Sequence, residues 1–235
     1  MIGLISTFGI LNREKDLHIY GPEGIKEVTL LQLKVSKSYS KFNIIFHELT
    51  SKESEVVFED DKVSVTTIPL NHRVYTNGFL FKEKTGLRKI DINKVKMYPE
   101  IETCDYHNLK AGKDYTLENG TILKNEELTL DPKTTKSFAF CSDTSYKEDI
   151  IPLISESDLL YHEATFLSDR EDLAKKTKHS TAKQAAIIAK KSKVKQLVIG
   201  HYSSRYNDIN LFKEEAEQEF ENIILAEEGK VISID

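Results

Sequence analysis

The chain has 235 residues, 39% of them hydrophobic and 30% charged, a soluble globular balance with enough length for one large α/β domain or a small pair of domains. Its net charge of −5 argues against bulk attraction to nucleic acid but leaves room for a local basic patch. No apolar run approaches the roughly 18 residues that a bilayer-spanning helix needs, so no membrane association is expected.

The first residues, Met1-Ile2-Gly3-Leu4-Ile5, are apolar but have no positive flank and no small-residue cleavage site, so neither a signal peptide nor an anchor is expected. Residues 2–12 read as an apolar helix. Leu17-His18-Ile19-Tyr20 reads as a short strand ending at the turn signal Gly21-Pro22, and 22–35 as a helix with apolar residues at helical spacing. Strand-like segments fill 42–49 and 56–70, clearest at Val63-Ser64-Val65-Thr66-Thr67-Ile68. Another strand covers 73–82, broken by Asn77-Gly78.

Residues 83–135 are rich in Lys, Asp, Asn and Thr. From Lys82 to Lys113 eight Lys or Arg stand against five Asp or Glu, a local +3 in a negative chain. Leu117-Glu118-Asn119-Gly120-Thr121-Ile122 predicts a hairpin with a type I′ turn at Asn119-Gly120. From Ser137 onward strand and helix alternate. Strands are expected at 137–141, 158–162 and 196–200, helices at 146–155, 181–192 and 208–221, and two final strands within 223–234. The pattern predicts one layered α/β domain with an inserted basic arm. Cys104 and Cys141 lie far apart and form no CxxC, which points to a reducing, cytoplasmic setting.

Three apolar strands run into metal-competent residues: Ile68-Pro69-Leu70-Asn71 into His72, Phe138-Ala139-Phe140-Cys141-Ser142 into Asp143, and Leu197-Val198-Ile199-Gly200 into His201. Strand ends hold ligands rigidly and let them converge from distant parts of a chain. Imidazole and carboxylate together suit Zn²⁺ or Mn²⁺, and a carboxylate can bridge two metals. For any one of these residues the plain alternative is a solvated histidine or a turn aspartate. Three further segments add to them: His162-Glu163-Ala164-Thr165-Phe166, His179-Ser180-Thr181 and His201-Tyr202-Ser203-Ser204-Arg205-Tyr206. His179 precedes a helix start, where Ser180 or Thr181 could serve as the cap. The same geometry favours an anion and places a proton donor beside it, with Glu163 able to orient that histidine.

In this order, these elements and Tyr20-Gly21-Pro22 resemble the ribonuclease Z family, endonucleases of the metallo-β-lactamase superfamily that remove the 3′ trailer of tRNA precursors. The resemblance spans nearly the whole chain. It implies an α/β fold of four αββα layers and two zinc ions. Of the ligands, His72 would bind one metal, His201 the other, and Asp143 both. It further implies that His179 and Glu163 assist proton transfer to the leaving group, with Ser180, Thr181 and Arg205 near the substrate. The inserted arm that grips tRNA would fall at about 84–113 with Arg88, Lys89, Lys94 and Lys96, and its charge suits phosphate contact. A solvated surface loop is the plain alternative for that stretch. A homodimer is implied as well.

The sequence departs from the family in one respect: the motif His-x-His-x-Asp-His is absent, and His18 and His47 do not replace it. The expectation is therefore a chain that begins just after that motif, lacks the first strands of the fold, and holds three of seven metal-ligating side chains. It should bind metal weakly and hydrolyse little by itself. Two other readings stay open: another phosphodiesterase of the same superfamily, and a non-catalytic RNA-binding remnant that uses the arm.

Overall fold

The apolar start of the chain forms helix α1 (Ile2–Ile10), followed by strand β1 (Leu17–Pro22), helix α2 (Ile25–Val35) and strand β2 (Ile44–Leu49). β1 and β2 pair in parallel, from Leu17 opposite Ile44 to Pro22 opposite Leu49, and α2 supplies the crossover that a parallel pair requires. One face, carrying Leu17, Ile19 and Ile44, packs on a small core of Ile5, Leu33 and Phe42. The other face carries His18, Tyr20 and His47, whose rings stack. Glu48 Oε1 accepts from the Gly24 and Lys26 amides and so caps the start of α2.

Three strands follow: β3 (Val56–Glu59), β4 (Val63–Pro69) and β5 (Asn77–Glu83). The basic stretch then forms β6 (Lys89–Ile90), α3 (Ile92–Val95), α4 (Tyr106–Lys110), β7 (Tyr115–Thr116), β8 (Ile122–Leu123), α5 (Asn125–Leu128) and β9 (Thr129–Leu130). The final third comprises β10 (Ser137–Cys141), α6 (Ile151–Ile154), β11 (Leu159–Glu163), α7 (Glu171–Thr177), α8 (Ala182–Ser192), β12 (Gln196–Gly200), α9 (Asn210–Ala216) and β13 (Ile223–Leu225).

This computed structural model describes residues 1–234. The chain divides into two compact units. The first contains Met1–Phe58, Val65–Leu80 and the residues from Phe138 on; the second contains Glu59–Ser64 and Phe81–Ser137. No helix among the described residues is long and apolar enough to cross a membrane.

A seven-stranded sheet runs in the order β13-β12-β11-β10-β5-β4-β3. β10 to β13 are parallel neighbours, with Leu160 opposite both Ala139 and Leu197. Alternate residues of these strands point into a core closed by α8 and α9, where Ala185, Ala186, Ile188, Ala189 and Phe212 are fully buried. The alanines let α8 lie close to the sheet. Thr181 and Gln184 form a reciprocal capping box at its start, and Lys193 closes it in a left-handed conformation. Asn77-Gly78 does not break a strand but opens β5. A Cβ on Gly78 would lie 2.4 Å from the Phe140 carbonyl oxygen, so glycine is what permits the approach of the backbones there.

The second unit has its own core of Val95, Ile101, Leu109, Leu123 and Leu128. Asn125 ties it together: its amide donates to the Leu109 and Lys113 carbonyls, and its Oδ1 accepts from Thr129. The stretch 84–113 lies inside this unit, which continues to Ser137.

Three local expectations need correction. The β7–β8 hairpin does not use a type I′ turn, which needs positive φ at both central residues. Only Gly120 is left-handed (φ 83°), and the Gly120 amide bonds the Leu117 carbonyl while Leu117 N–H bonds Thr121 O. That is a four-residue turn closed by a left-handed glycine, the bulged alternative. Of the two last strands only β13 forms among the described residues; Lys230 N–H turns back onto Glu227 O, and Val231 beyond it is exposed. The helices expected at 146–155 and 208–221 shorten to Ile151–Ile154 and Asn210–Ala216.

Candidate metal and proton-transfer site

The C-terminal ends of β10, β11 and β12 lie side by side, and the residues beyond them converge. Asp143 and His201 follow β10 and β12, and both take left-handed backbone conformations (φ 56° and 64°) that ordinary residues avoid. Strain at two such positions next to one another is characteristic of a site whose geometry is imposed by its surroundings. Donor atoms of Asp143, Glu163, His179 and His201 all lie within 4.8 Å of one another.

Glu163, at the end of β11, organises this cluster. It is fully buried. Oε1 accepts from the Thr144 amide at 2.7 Å and from His179 Nδ1 at 2.7 Å. Oε2 accepts from the Thr165 hydroxyl at 2.6 Å and from the Ser180 amide at 3.1 Å. Burial by itself would raise this carboxyl; the hydrogen bonds from His179 and Thr165, the charge on His179 and the Ser180 amide outweigh it and hold Glu163 below its usual range. The same bond to Glu163 raises His179 above the usual imidazole range, against the opposing effect of burial. Every acceptor position of Glu163 is occupied, so it is not available as a metal ligand.

The network also fixes which ring nitrogens carry protons. The Thr165 hydroxyl donates to Glu163 and therefore accepts from His201 Nδ1–H at 2.8 Å. His201 Nε2, the ring's other nitrogen, lies 3.3 Å from Asp143 Oδ1. In the neutral ring that nitrogen is a lone pair beside a carboxylate oxygen, an arrangement that suits a cation. His72, three residues past the end of β4, donates Nδ1–H to the Lys178 carbonyl at 2.9 Å, which turns its Nε2 away from that partner. Backbone and hydroxyl partners of this kind set the tautomer of metal-binding histidines. His72 stands outside the four-residue cluster, its ring centroid 5.0 Å from that of His179. The donor set therefore fits a metal at Asp143 and His201, with His72 alongside.

Of the other residues expected near substrate, Arg205 is exposed and touches Ser203. Ser180 and Thr181 are buried: the Ser180 hydroxyl donates to Thr144 O, and Thr181 caps α8. Their hydroxyls shape the loop and do not face solvent. Lys89, Lys94 and Lys96 are exposed on the second unit, whereas Arg88 bonds Thr129 and Asp131 within it. Sequence reasoning gave no role to Thr165, which links Glu163 to His201, or to the Lys178 carbonyl; Thr165 lies inside the quoted HEATF segment, but nothing in sequence marks Lys178.

No family model matches the chain. Individual proteins do. Ribonuclease Z of Bacteroides fragilis (strain ATCC 25285) is 41% identical over 234 residues, an alignment covering 100% of this chain and 77% of that protein. Ribonuclease Z of Cytophaga hutchinsonii is 40% identical over 230 residues, covering 97% and 73%. The chain belongs to the ribonuclease Z family. Solved structures agree on the fold: human tRNase Z, short form, superposes with a TM-score of 0.65 at 24% identity over 100% of this chain and 73% of that one. The metallo-β-lactamase fold protein YhfI of Bacillus subtilis gives 0.60 at 15% identity, over 99% and 71%. The mixed sheet and helices described above are thus those of a metallo-β-lactamase fold, and the Asp and His donors at its strand ends fit metal binding.

Proposed function

We propose that this protein acts in the cytoplasm on precursor tRNA, hydrolysing the phosphodiester 3′ of the discriminator nucleotide to release the trailer. The observation that carries the reading is the Glu163 network, which brings His201 to Asp143 and His179, its pKa raised by Glu163, into the same few ångströms. In the reaction, water oxygen bonds to phosphorus, the P–O3′ bond breaks, and the departing O3′ takes a proton; the tRNA keeps a 3′-hydroxyl and the trailer a 5′-phosphate. His179 is the donor. Glu163 holds its Nδ1–H and favours the charged ring, whose Nε2–H is the proton passed on; Glu163 is thus a positioning residue. Asp143, His201 and His72 would hold the metal, zinc by the preference of imidazole and carboxylate donors, and two ions by family resemblance. Bound there, it supplies Lewis-acid activation of water and charge stabilisation of the phosphodiester.

This 235-residue chain carries three of those ligands, and a catalytic zinc usually takes three from protein for each ion. Loose metal retention and slow hydrolysis by the chain alone are part of the proposal. A homodimer is its other element. The exposed apolar residues Val28, Leu31 and Val35 along α2, and Leu4 and Ile10 on α1, support a self-associating surface.

Incubating the chain with a trailer-bearing precursor tRNA and Zn²⁺ or Mn²⁺, then mapping RNA ends, tests the function. Products ending at the discriminator with a 3′-hydroxyl, or salt-sensitive precursor binding with little cleavage, agree with it. Cleavage elsewhere, or no preference for precursor tRNA over unrelated RNA, contradicts it.

A further inference from the structure

Two clefts flank the site within the first unit. One, of about 290 Å³, is lined by His179, Lys175, Lys178, Tyr146 and neighbouring residues. The other, of about 460 Å³, is lined by His72, Lys52, Arg73, Tyr75 and neighbours. The rings of His72 and His179, one in each cleft, are 5.0 Å apart between centroids. Among the described residues none of Lys52, Arg73, Lys175 and Lys178 has a carboxylate partner. In the first cleft one acid, Glu171, which accepts from Gln184, offsets part of the lysine charge. The first cleft thus keeps a net positive charge from Lys175 and Lys178 against Glu171, the second carries three cations, Lys52, Arg73 and Lys147, and each has a tyrosine ring, the combination that holds a backbone phosphate and a stacked base of single-stranded nucleic acid.

We propose that the substrate strand crosses the site from one cleft to the other with a fixed polarity. The nucleotide carrying the leaving O3′ sits in the Lys175–Lys178–Tyr146 cleft, because the proton donor His179 lines it. The trailer runs into the Lys52–Arg73–Tyr75 cleft beyond His72. The polarity rests on the functional reading above, since it follows from which oxygen leaves. The two clefts then divide the work: the first recognises RNA that is present before and after cleavage, the second only the part removed.

Binding without turnover separates these roles. Fluorescence anisotropy with chelator present would measure affinity for a precursor tRNA bearing a short trailer and for the same tRNA ending at the cut site. Lys175→Gln/Lys178→Asn neutralises the first cleft; Asn tolerates the left-handed backbone of residue 178. Lys52→Gln/Arg73→Gln removes two of the three cations of the second, leaving Lys147, which donates to the Pro69 carbonyl. The expected result is that the first variant weakens both RNAs by the same factor, while the second weakens the precursor alone and brings the ratio of the two affinities close to one. For each lost phosphate contact the slope of log affinity against log salt should fall by about 0.7. The reverse pattern overturns the polarity, and unchanged affinities in both variants overturn the clefts as binding sites while leaving the functional reading intact. Failure of the unmodified protein to bind either RNA overturns the functional reading itself and the clefts with it.

Discussion

Glu163 concentrates the site's chemistry in one buried carboxylate with four close donors. Glu163→Gln keeps its shape but turns one oxygen into an N–H₂ facing those donors. A loss of about 1–3 kcal/mol of stability is expected from the unmatched buried groups, readable by urea unfolding. The loss should depend on pH. Glu163 is held below its ordinary 4.5, so its stabilisation is present above that value and fades as pH falls through the folded one. His179 is raised above its ordinary 6.5, so its stabilisation is complete below that value and is lost as pH rises through the folded one. The stability gap between the parent and the Gln variant should therefore be widest between about pH 4.5 and 6.5, and a flat gap across pH 4–9 would contradict the pairing. The cysteines offer a simpler check. Cys141 is fully buried and burial pushes its thiol up to about 12, while Cys104 is exposed. A disulfide reagent at pH 8 should titrate one thiol in the native protein and a second only after unfolding. At this scale the sequence singled out residues that the structure brings together: Asp143, Glu163, His179 and His201 converge, and the His72 ring stands beside that of His179. It could not show Glu163 saturated by hydrogen bonds or the proton positions that follow, because those depend on contacts up to 106 residues apart, such as His72 with Lys178.

Among the elements, α8 bears most on the site, because its capped start carries the His179-Ser180-Thr181 loop. Removing the Thr181 hydroxyl with Thr181→Ala breaks the capping box, with an expected cost of about 1 kcal/mol. Ile188→Ala, in the face that α8 presses on the sheet, should cost about 2–5 kcal/mol. Thermal unfolding separates the two, and equal effects would contradict the packing described. Elements with continuous apolar strands or clean periodicity, such as β10, β12 and α8, were legible within a residue or two. Short ones were not: α6 and α9 take only part of the apolar spacing that suggested longer helices. The Asn119-Gly120 pair was correctly placed in a hairpin but in the wrong turn, because Glu118 and Asn119 form the turn and glycine takes the bulge.

For the whole molecule, the charge asymmetry noted between Lys82 and Lys113 belongs to a unit with a core of its own, which composition could suggest but not delimit. If that unit meets tRNA phosphates, Lys89→Gln/Lys94→Gln/Lys96→Gln should weaken binding of all tRNAs alike and lower the salt slope by up to about 0.9 per lysine, without altering thermal stability. Discrimination among RNAs by this variant would contradict such a role. The account turns most directly on whether Asp143 and His201 form a cation site. Zinc titration of chelator-treated protein by calorimetry addresses this. Saturable but loose binding is predicted, abolished by Asp143→Ala and by His201→Ala, and weakened about 10–100-fold by Thr165→Val, which frees the His201 ring. Binding that survives both alanine substitutions unchanged would contradict it.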